Sequence, residues 1–268
     1  MEARNLFSEI PPRAERRILP LPLGQNDYPR DLSFHCDLHV HSNFSDGKLT
    51  VAELVDLFGQ MGLGCIAITD HLCEETGIVG RVSHHLNYSL SKWRFDEYIT
   101  TIRKEALRAW NQYGMVVIPG YEITKNSFRN HRSAHILILN IESYISPDLS
   151  VAEILAEAKK KGAFTIAAHP FHTGDFEFQT LHLWDNRNHL NGLVDAWEFN
   201  YRDKVYDEVL NSGLPVVASS DFHHLKHLQS WRTKIFGERS VESIFHQIRT
   251  QTVEFSVQTK NSHSEIQL

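Results

Sequence analysis

From position 34 onward, short apolar runs rich in β-branched residues alternate with longer amphipathic ones. The strand-like runs fall at 34–40, 65–69, 115–119, 135–139, 163–168, 193–199, 214–219 and 252–257. Their near-continuous apolar character is what strands buried on both faces require. Between them, 51–61, 95–113, 150–161 and 203–212 repeat apolar residues at helical spacing, with Leu54, Val55, Leu57 and Phe58 on one face. Gly62, Gly114, Gly162 and Gly213 each separate a helical run from the next strand, where a left-handed C-terminal cap belongs. This β–α alternation with short connectors predicts an α/β fold, largely parallel, with helices covering the strands.

Three stretches break the rhythm. Residues 1–33 carry Pro11, Pro12, Pro20, Pro22 and Pro29 without a sustained period and read as an irregular arm. Residues 72–94 and 171–192 are long polar and aromatic insertions directly after strands. The remainder, 34–268, reads as one domain, and in a parallel barrel loops placed like these two surround the active site.

Composition narrows the function classes. A formal net charge of −6 over 268 residues argues against a surface that tracks a long nucleic acid, which needs a basic face. No apolar stretch approaches the roughly 18 residues needed to span a membrane, and the first residues lack the apolar core of a signal peptide. Cys36, Cys65 and Cys73 form no CxxC pair, as in a reduced, cytoplasmic protein. No pattern specifies an oligomeric state. The unusual feature is the 17 histidines.

Their placement follows the strands. The first strand reads His35-Cys36-Asp37-Leu38-His39-Val40-His41, and strict alternation puts His35, Asp37, His39 and His41 on one face. His-x-His places two imidazoles on one side of a strand, roughly 7 Å apart at the backbone, so that they can converge on one ion. Later runs end in Asp70-His71, in Gly120-Tyr121-Glu122, in His169-Pro170 and in Ser220-Asp221-Phe222-His223. His135 instead opens its strand, as it would if that strand ran against its neighbours. Scattered solvated histidines would not track strand ends. Imidazole with carboxylate, without a thiolate pair, suits zinc, manganese or iron.

These residues resemble the motifs of the polymerase-and-histidinol-phosphatase (PHP) superfamily. Asp37-Leu38-His39-Val40-His41-Ser42 with Ser45-Asp46-Gly47 resembles the first motif, and Ile68-Thr69-Asp70-His71 the second. Gly120-Tyr121-Glu122 with His135-Ile136-Leu137 is similar to the third; His169-Pro170 and Ser220-Asp221-Phe222-His223 complete the set. The resemblance implies a distorted (β/α)7 barrel with two or three divalent metal ions at its mouth. It implies that His39, His41, Glu122 and Asp221 hold one ion. Glu122 would bridge to a second ion held also by His135 and His169, and Asp46, His71 and His223 would hold a third. Asp46 stands where one branch of the family has histidine, which points to the branch acting on nucleotides and other small phosphate esters.

The resulting expectation is a metal-dependent phosphoesterase. It hydrolyses a small phosphomonoester or nucleotide through a metal-bridging hydroxide, with Glu122, Asp221 and His223 as catalytic groups. Alternatives are an amidohydrolase-like metallohydrolase, which would need a carboxylated lysine where Glu122 stands, and a non-catalytic PHP-type binding module, which would show replaced ligands. Arg132, Arg202 and Asn200 rank first as substrate contacts, ahead of Arg81, Lys92, Arg94, Lys125 and Arg129. Trp93, Trp184 and Trp197 are candidate stacking partners, though large aromatics more often pack a core. His172, His224 and His227 lie near the motifs and are candidate general acids; His84, His85 and His189 read as solvated.

Overall fold

The computed structural model describes residues 32–75, 88–127, 129–171, 180–190 and 192–257. All but the last two positions of the arm, most of the first insertion and part of the second, with Arg81, His84, His85 and His172, lie outside the described residues. In chain order the strands are β1 (Ser33–Val40), β2 (Cys65–Ile68), β3 (His71–Cys73), β4 (Val116–Lys125), β5 (Ala134–Leu139), β6 (Phe164–Ala167), β7 (Ala196–Glu198), β8 (Asn200–Tyr201), β9 (Lys204–Val205), β10 (Val216–Val217), β11 (Trp231–Phe236) and β12 (Glu254–Val257). The helices are α1 (Val51–Gln60), α2 (Phe95–Tyr113), α3 (Val151–Lys160), α4 (Leu181–Asp185), α5 (Asp207–Leu210) and α6 (Val241–Thr250).

Local chemistry explains the main helices. Thr50 and Ser150 each cap a helix while Glu53 and Glu153 return the bond to the cap, so α1 and α3 open on complete capping boxes. Gly114 ends α2 with φ 59, a conformation that a side chain would resist. The four glycines expected at helix ends all have positive φ.

The strands run β10-β7-β6-β5-β4-β2-β1-β11-β12 across one sheet, with β3 added to β4. β1, β2, β4, β5, β6, β7 and β10 curl into the distorted barrel. β5 is antiparallel to both neighbours, as the position of His135 suggested. At the mouth the barrel closes through a bridge between Val40 and Phe222, where His41 N–H donates to Phe222 O at 2.8 Å. Lower down, antiparallel β11 pairs with β1. There the closure passes through side chains: Thr233 Oγ1 accepts from Ala218 N–H and donates to Ala218 O, both at 2.9 Å.

Two apolar layers result. Inside the barrel lie Cys36, Leu38, Cys65, Ala67, Ile118, Leu137, Phe164 and Ile166, and Ile244, Phe245 and Ile248 of α6 join this cluster from below. Phe164 and Phe245 stack with centroids 4.2 Å apart. Outside, Ile66, Ile68, Val117 and Ile136 meet Leu54, Val55 and Phe58 of α1 and Ile99 and Ile102 of α2. Each such buried side chain contributes about 1.5–3 kcal/mol relative to exposure.

The structure departs from the sequence reading in three places. Residues 203–212 are not one helix: β8 and β9 form a hairpin, and only α5 is helical. β11 went unforeseen because its sequence, Trp-Arg-Thr-Lys-Ile-Phe, reads as exposed, yet Arg232 is fully buried. Strict alternation along β1 also fails. The register with β2 shifts between Asp37 and Val40. Leu38 lies in the inner cluster and Val40 in the outer one, which a regular strand forbids. This is a β-bulge. It leaves Asp37 on the outer face beside Ile66, its register partner, and turns His39 and His41 toward the mouth.

Asp37 is matched there by a buried cation: Arg232 Nε lies 2.8 Å from Asp37 Oδ2, with both side chains at 0% exposure. Asp37 also accepts from Ser220 N–H at 3.0 Å and Ser220 Oγ–H at 2.6 Å. Removing one member of a buried pair strands the other charge, which typically costs about 3–5 kcal/mol. Arg232→Met is therefore expected to destabilise the metal-free protein by about that amount in urea unfolding, and Asp37→Asn added to it should recover part of the loss. Strictly additive effects of the two substitutions would show that the pair is uncoupled.

Candidate metal centre

The bulge delivers the first two donors, and a tightened loop delivers the next. Asp70, fully buried, accepts from Ser42 N–H and Ser45 N–H at 2.9 and 3.0 Å and from both serine hydroxyls at 2.7 Å. The turn they form brings Gly47 against the β1 backbone, where a Cβ would stand 2.3 Å from His41 O; only glycine fits. Asp46, held between, has Oδ1 3.2 Å from His223 Nε2 and 3.8 Å from His71 Nε2.

Glu122, fully buried on β4, stands at the middle. Its Oε1 lies 3.0 Å from His135 Nδ1, 3.5 Å from His39 Nε2 and 3.6 Å from His169 Nε2. Its Oε2 lies 2.6 Å from His71 Nδ1 and 3.8 Å from His41 Nε2. The two oxygens thus face different sets of imidazoles. Asp221 Oδ1 lies 3.4 Å from His39 Nε2 and 3.3 Å from His41 Nε2. His169 and Asp221 have φ of 29° and 50°, strained values for non-glycine residues that cost on the order of 1–3 kcal/mol each and gather at functional sites.

Three groups of donor atoms are close enough to share an ion: His39, His41 and Asp221; His39, Glu122 and His169; and His41, Asp46, His71 and His223. His135 stands beside Glu122 but outside these groups, and its Nε2 contacts Asn126 Oδ1 at 3.0 Å. The donor set fits divalent ions on two counts. Buried His39 Nε2, His41 Nδ1 and His41 Nε2 have no hydrogen-bond partner, and orphaned buried nitrogens are costly unless something else satisfies them. The spacing of His39 Nε2 and His41 Nε2 from Asp221 also suits shared coordination, since ligands about 2.0–2.2 Å from one ion sit about 3.0–3.6 Å from each other.

Electrostatics point the same way. Burial alone would raise Glu122 and Asp221, but the imidazoles around them hold both well below the usual carboxylate range. Burial pushes His41 down to about 3, helped by His223 and His71. Burial also presses on His71, but Glu122 and Asp46 outweigh it and lift that group to about 9. For His39, Glu198, Glu122 and Asp221 outweigh burial in the same sense.

The other candidates separate clearly. Arg202 Nη2 lies 3.8 Å from Asp221 Oδ2, with the guanidinium 4.4 Å from the Tyr201 ring centroid. Asn200, 1% exposed, gives its amide to Ser219 O and Arg202 O at 2.8 and 2.9 Å, and its Oδ1 accepts from Ser219 N–H. Those bonds tie the side chain to the backbone before Asp221. Arg132 is exposed on the turn between β4 and β5. Trp184 and Trp197 pack edge to face at 5.9 Å, while Trp93 is 94% exposed. His227 Nδ1 accepts from His223 N–H at 3.2 Å, and Cys73 is buried.

Sequence reasoning noticed Asp37, Asp70 and Glu198 but gave no role to these three buried carboxylates, which frame the donors. Their signal was proximity. Asp37 is two residues from His39, Asp70 precedes His71, and Glu198 ends a strand beside Asn200.

Because a ligating imidazole must give up its proton, groups raised like His71 and His39 make ion binding compete with protons. Below about 9, the value of His71 in the metal-free protein, that competition is present and grows with acidity. Calorimetric titration with zinc at neutral pH is expected to release protons, seen as a heat that varies with the buffer's ionisation enthalpy, and to weaken on acidification. A buffer-independent heat would contradict this.

Comparison with known proteins agrees with the geometry. A search of curated protein sequences finds no match. Among solved structures, a two-domain protein from Bacteroides vulgatus ATCC 8482, containing a predicted PHP-like metal-dependent phosphoesterase, shares 23% identity at a TM-score of 0.60. The match covers 84% of this chain and 64% of that one, so this chain spans less than two thirds of that protein. A proposed metal-dependent phosphoesterase from Bifidobacterium adolescentis ATCC 15703 is 16% identical at a TM-score of 0.47, over 70% of this chain and 87% of that one. An amidohydrolase from Chromobacterium violaceum, solved with sulfate and no metal, is 15% identical at 0.43 over the same shares. Neither of these two bears on the argument. The likeness to the Bacteroides protein is one of fold. The model of the PHP domain matches residues 37–212, from the first histidine motif past Glu198. The chain belongs to the PHP domain family.

Proposed function

We propose that this protein is a metal-dependent phosphoesterase that hydrolyses a small phosphomonoester or nucleotide. The observation that carries the reading is the meeting of three donor groups around one buried carboxylate, Glu122. Two or three divalent ions, of zinc, manganese or iron, fit imidazole and carboxylate donors. When bound, such ions supply Lewis acidity toward phosphoryl oxygens and lower the pKa of water.

The chain's own residues supply the rest. Glu122, with its two oxygens facing separate sets of imidazoles, would serve as the shared ligand. His39, His41, His71, His135, His169 and His223, with Asp46 and Asp221, would fill the remaining positions. Asp221 is held ionised by its imidazole neighbours, and its Oδ2, turned toward Arg202, is placed to take up a proton from water. Arg202 is placed to orient a phosphate oxygen, as a guanidinium fork does well. His223 links Asp46 to Asp221 and fixes their spacing.

Charge favours phosphate over a neutral ester or amide. Three divalent ions outweigh Glu122, Asp46, Asp221 and the adjoining Glu198 together, and a centre left positive attracts an anion. Long nucleic acid is disfavoured because the chain is acidic overall, at −6. A cytoplasmic setting accords with three buried cysteines that form no disulfide. Among the described residues no helix is long and apolar enough to cross a membrane.

The test compares metal-replete wild type, chelator-treated protein and His39→Ala on a mononucleotide and on single-stranded DNA, over a range of salt. Turnover of the mononucleotide is expected to fall at least about 100-fold without metal or without His39, and the DNA to be the poorer substrate. Faster, strongly salt-sensitive cleavage of the DNA would instead mark a nuclease.

A further inference from the structure

We infer that Glu198 is a positioning residue that sets two donors of one ion site at once. Both belong to the group His39, Glu122 and His169. Glu198 is 2% exposed at the end of β7 and is outside all three donor groups. One oxygen, Oε1, accepts from His39 Nδ1–H at 3.1 Å. The other, Oε2, accepts from His169 backbone N–H at 2.8 Å.

The two bonds solve different problems. An imidazole that donates through Nδ1 presents its lone pair at Nε2, and His39 Nε2 is the atom that faces Glu122 and Asp221 with no hydrogen-bond partner. The bond to Glu198 therefore selects the tautomer that can ligate and fixes the ring's rotation. His169 has a different difficulty. Its φ of 29° lies in a region that non-glycine residues avoid, and Pro170 follows. A charge-assisted bond to its N–H offsets that strain and holds the turn that aims His169 Nε2 at Glu122.

Among the described residues no other group does both jobs. Thr180 Oγ1 donates to the His169 carbonyl at 2.6 Å and lies 3.3 Å from His169 Nδ1, but accepts nothing from the backbone N–H and does not reach His39. Glutamate is suited because its two oxygens can accept from two directions. Glutamine fills the same volume but must turn its amide donor toward one of the two N–H groups.

The inference rests on the metal-centre reading, and its test keeps the two apart. Zinc and manganese affinities are measured by competition with a chelating dye for wild type, Glu198→Gln and Glu198→Ala, with folding checked by circular dichroism. Affinity at one ion is expected to fall by about 10–100-fold in Glu198→Gln, the usual effect of removing a carboxylate behind a ligating histidine, and further in Glu198→Ala. A purely structural role would lower the unfolding temperature while leaving affinity within about twofold, and that result overturns the inference. Nitrogen-15 spectra of zinc-loaded wild type give a check independent of any variant: His39 should carry its proton on Nδ1, and a proton on Nε2 overturns it. Wild type that binds ions but hydrolyses no phosphomonoester would refute the proposed activity and leave the role of Glu198 standing. Wild type that binds no ion would overturn both.

Discussion

The constraint on which the structure depends is the crowding of six imidazoles and three carboxylates at the barrel mouth, most of them buried, with Asp46, His71 and His223 partly open to solvent. His39, His41 and Glu122 are wholly buried, and several of their nitrogens have no hydrogen-bond partner. Groups packed this way are tolerable only if their charges and lone pairs face one another or a shared cation. Much of the local irregularity serves that end. The bulge in β1 re-aims two histidines, the left-handed residues at His169 and Asp221 turn their side chains inward, and the bridge from Val40 to Phe222 locks the two ends of the barrel together beside them.

Around this centre lies a second layer of buried carboxylates, each tied to a segment that bears a donor. Asp37 holds Ser220, next to Asp221; Asp70 holds the serines flanking the turn to Asp46; Glu198 holds His39 and His169. Arg232 balances the one that faces away from the centre. The apolar barrel below, plugged by α6, supplies the rigid floor on which small errors in donor position would be costly.

Much of this was legible in the sequence. Asp70-His71, His169 and Asp221-Phe222-His223, read as following strands, located the mouth of a barrel, although Glu122, expected just past a strand, lies within β4; the inverted place of His135 foretold an antiparallel strand. What escaped is physical in origin. A bulge leaves no pattern of its own, so alternation wrongly grouped Asp37 with His39. A buried arginine disguises a strand as a surface segment, which hid β11. Short β-structure such as β8 and β9 is decided by tertiary contacts: the amide of Asn200 reaches Ser219, and no local propensity announces that.

The most direct measurement is anomalous diffraction from crystals of the zinc- or manganese-loaded protein, recorded at the metal's absorption edge. Peaks are expected inside the donor groups, with Glu122 lying between two of them and Asp221 beside one. Fully loaded crystals showing every peak remote from Glu122 would contradict the metal centre and the function built on it.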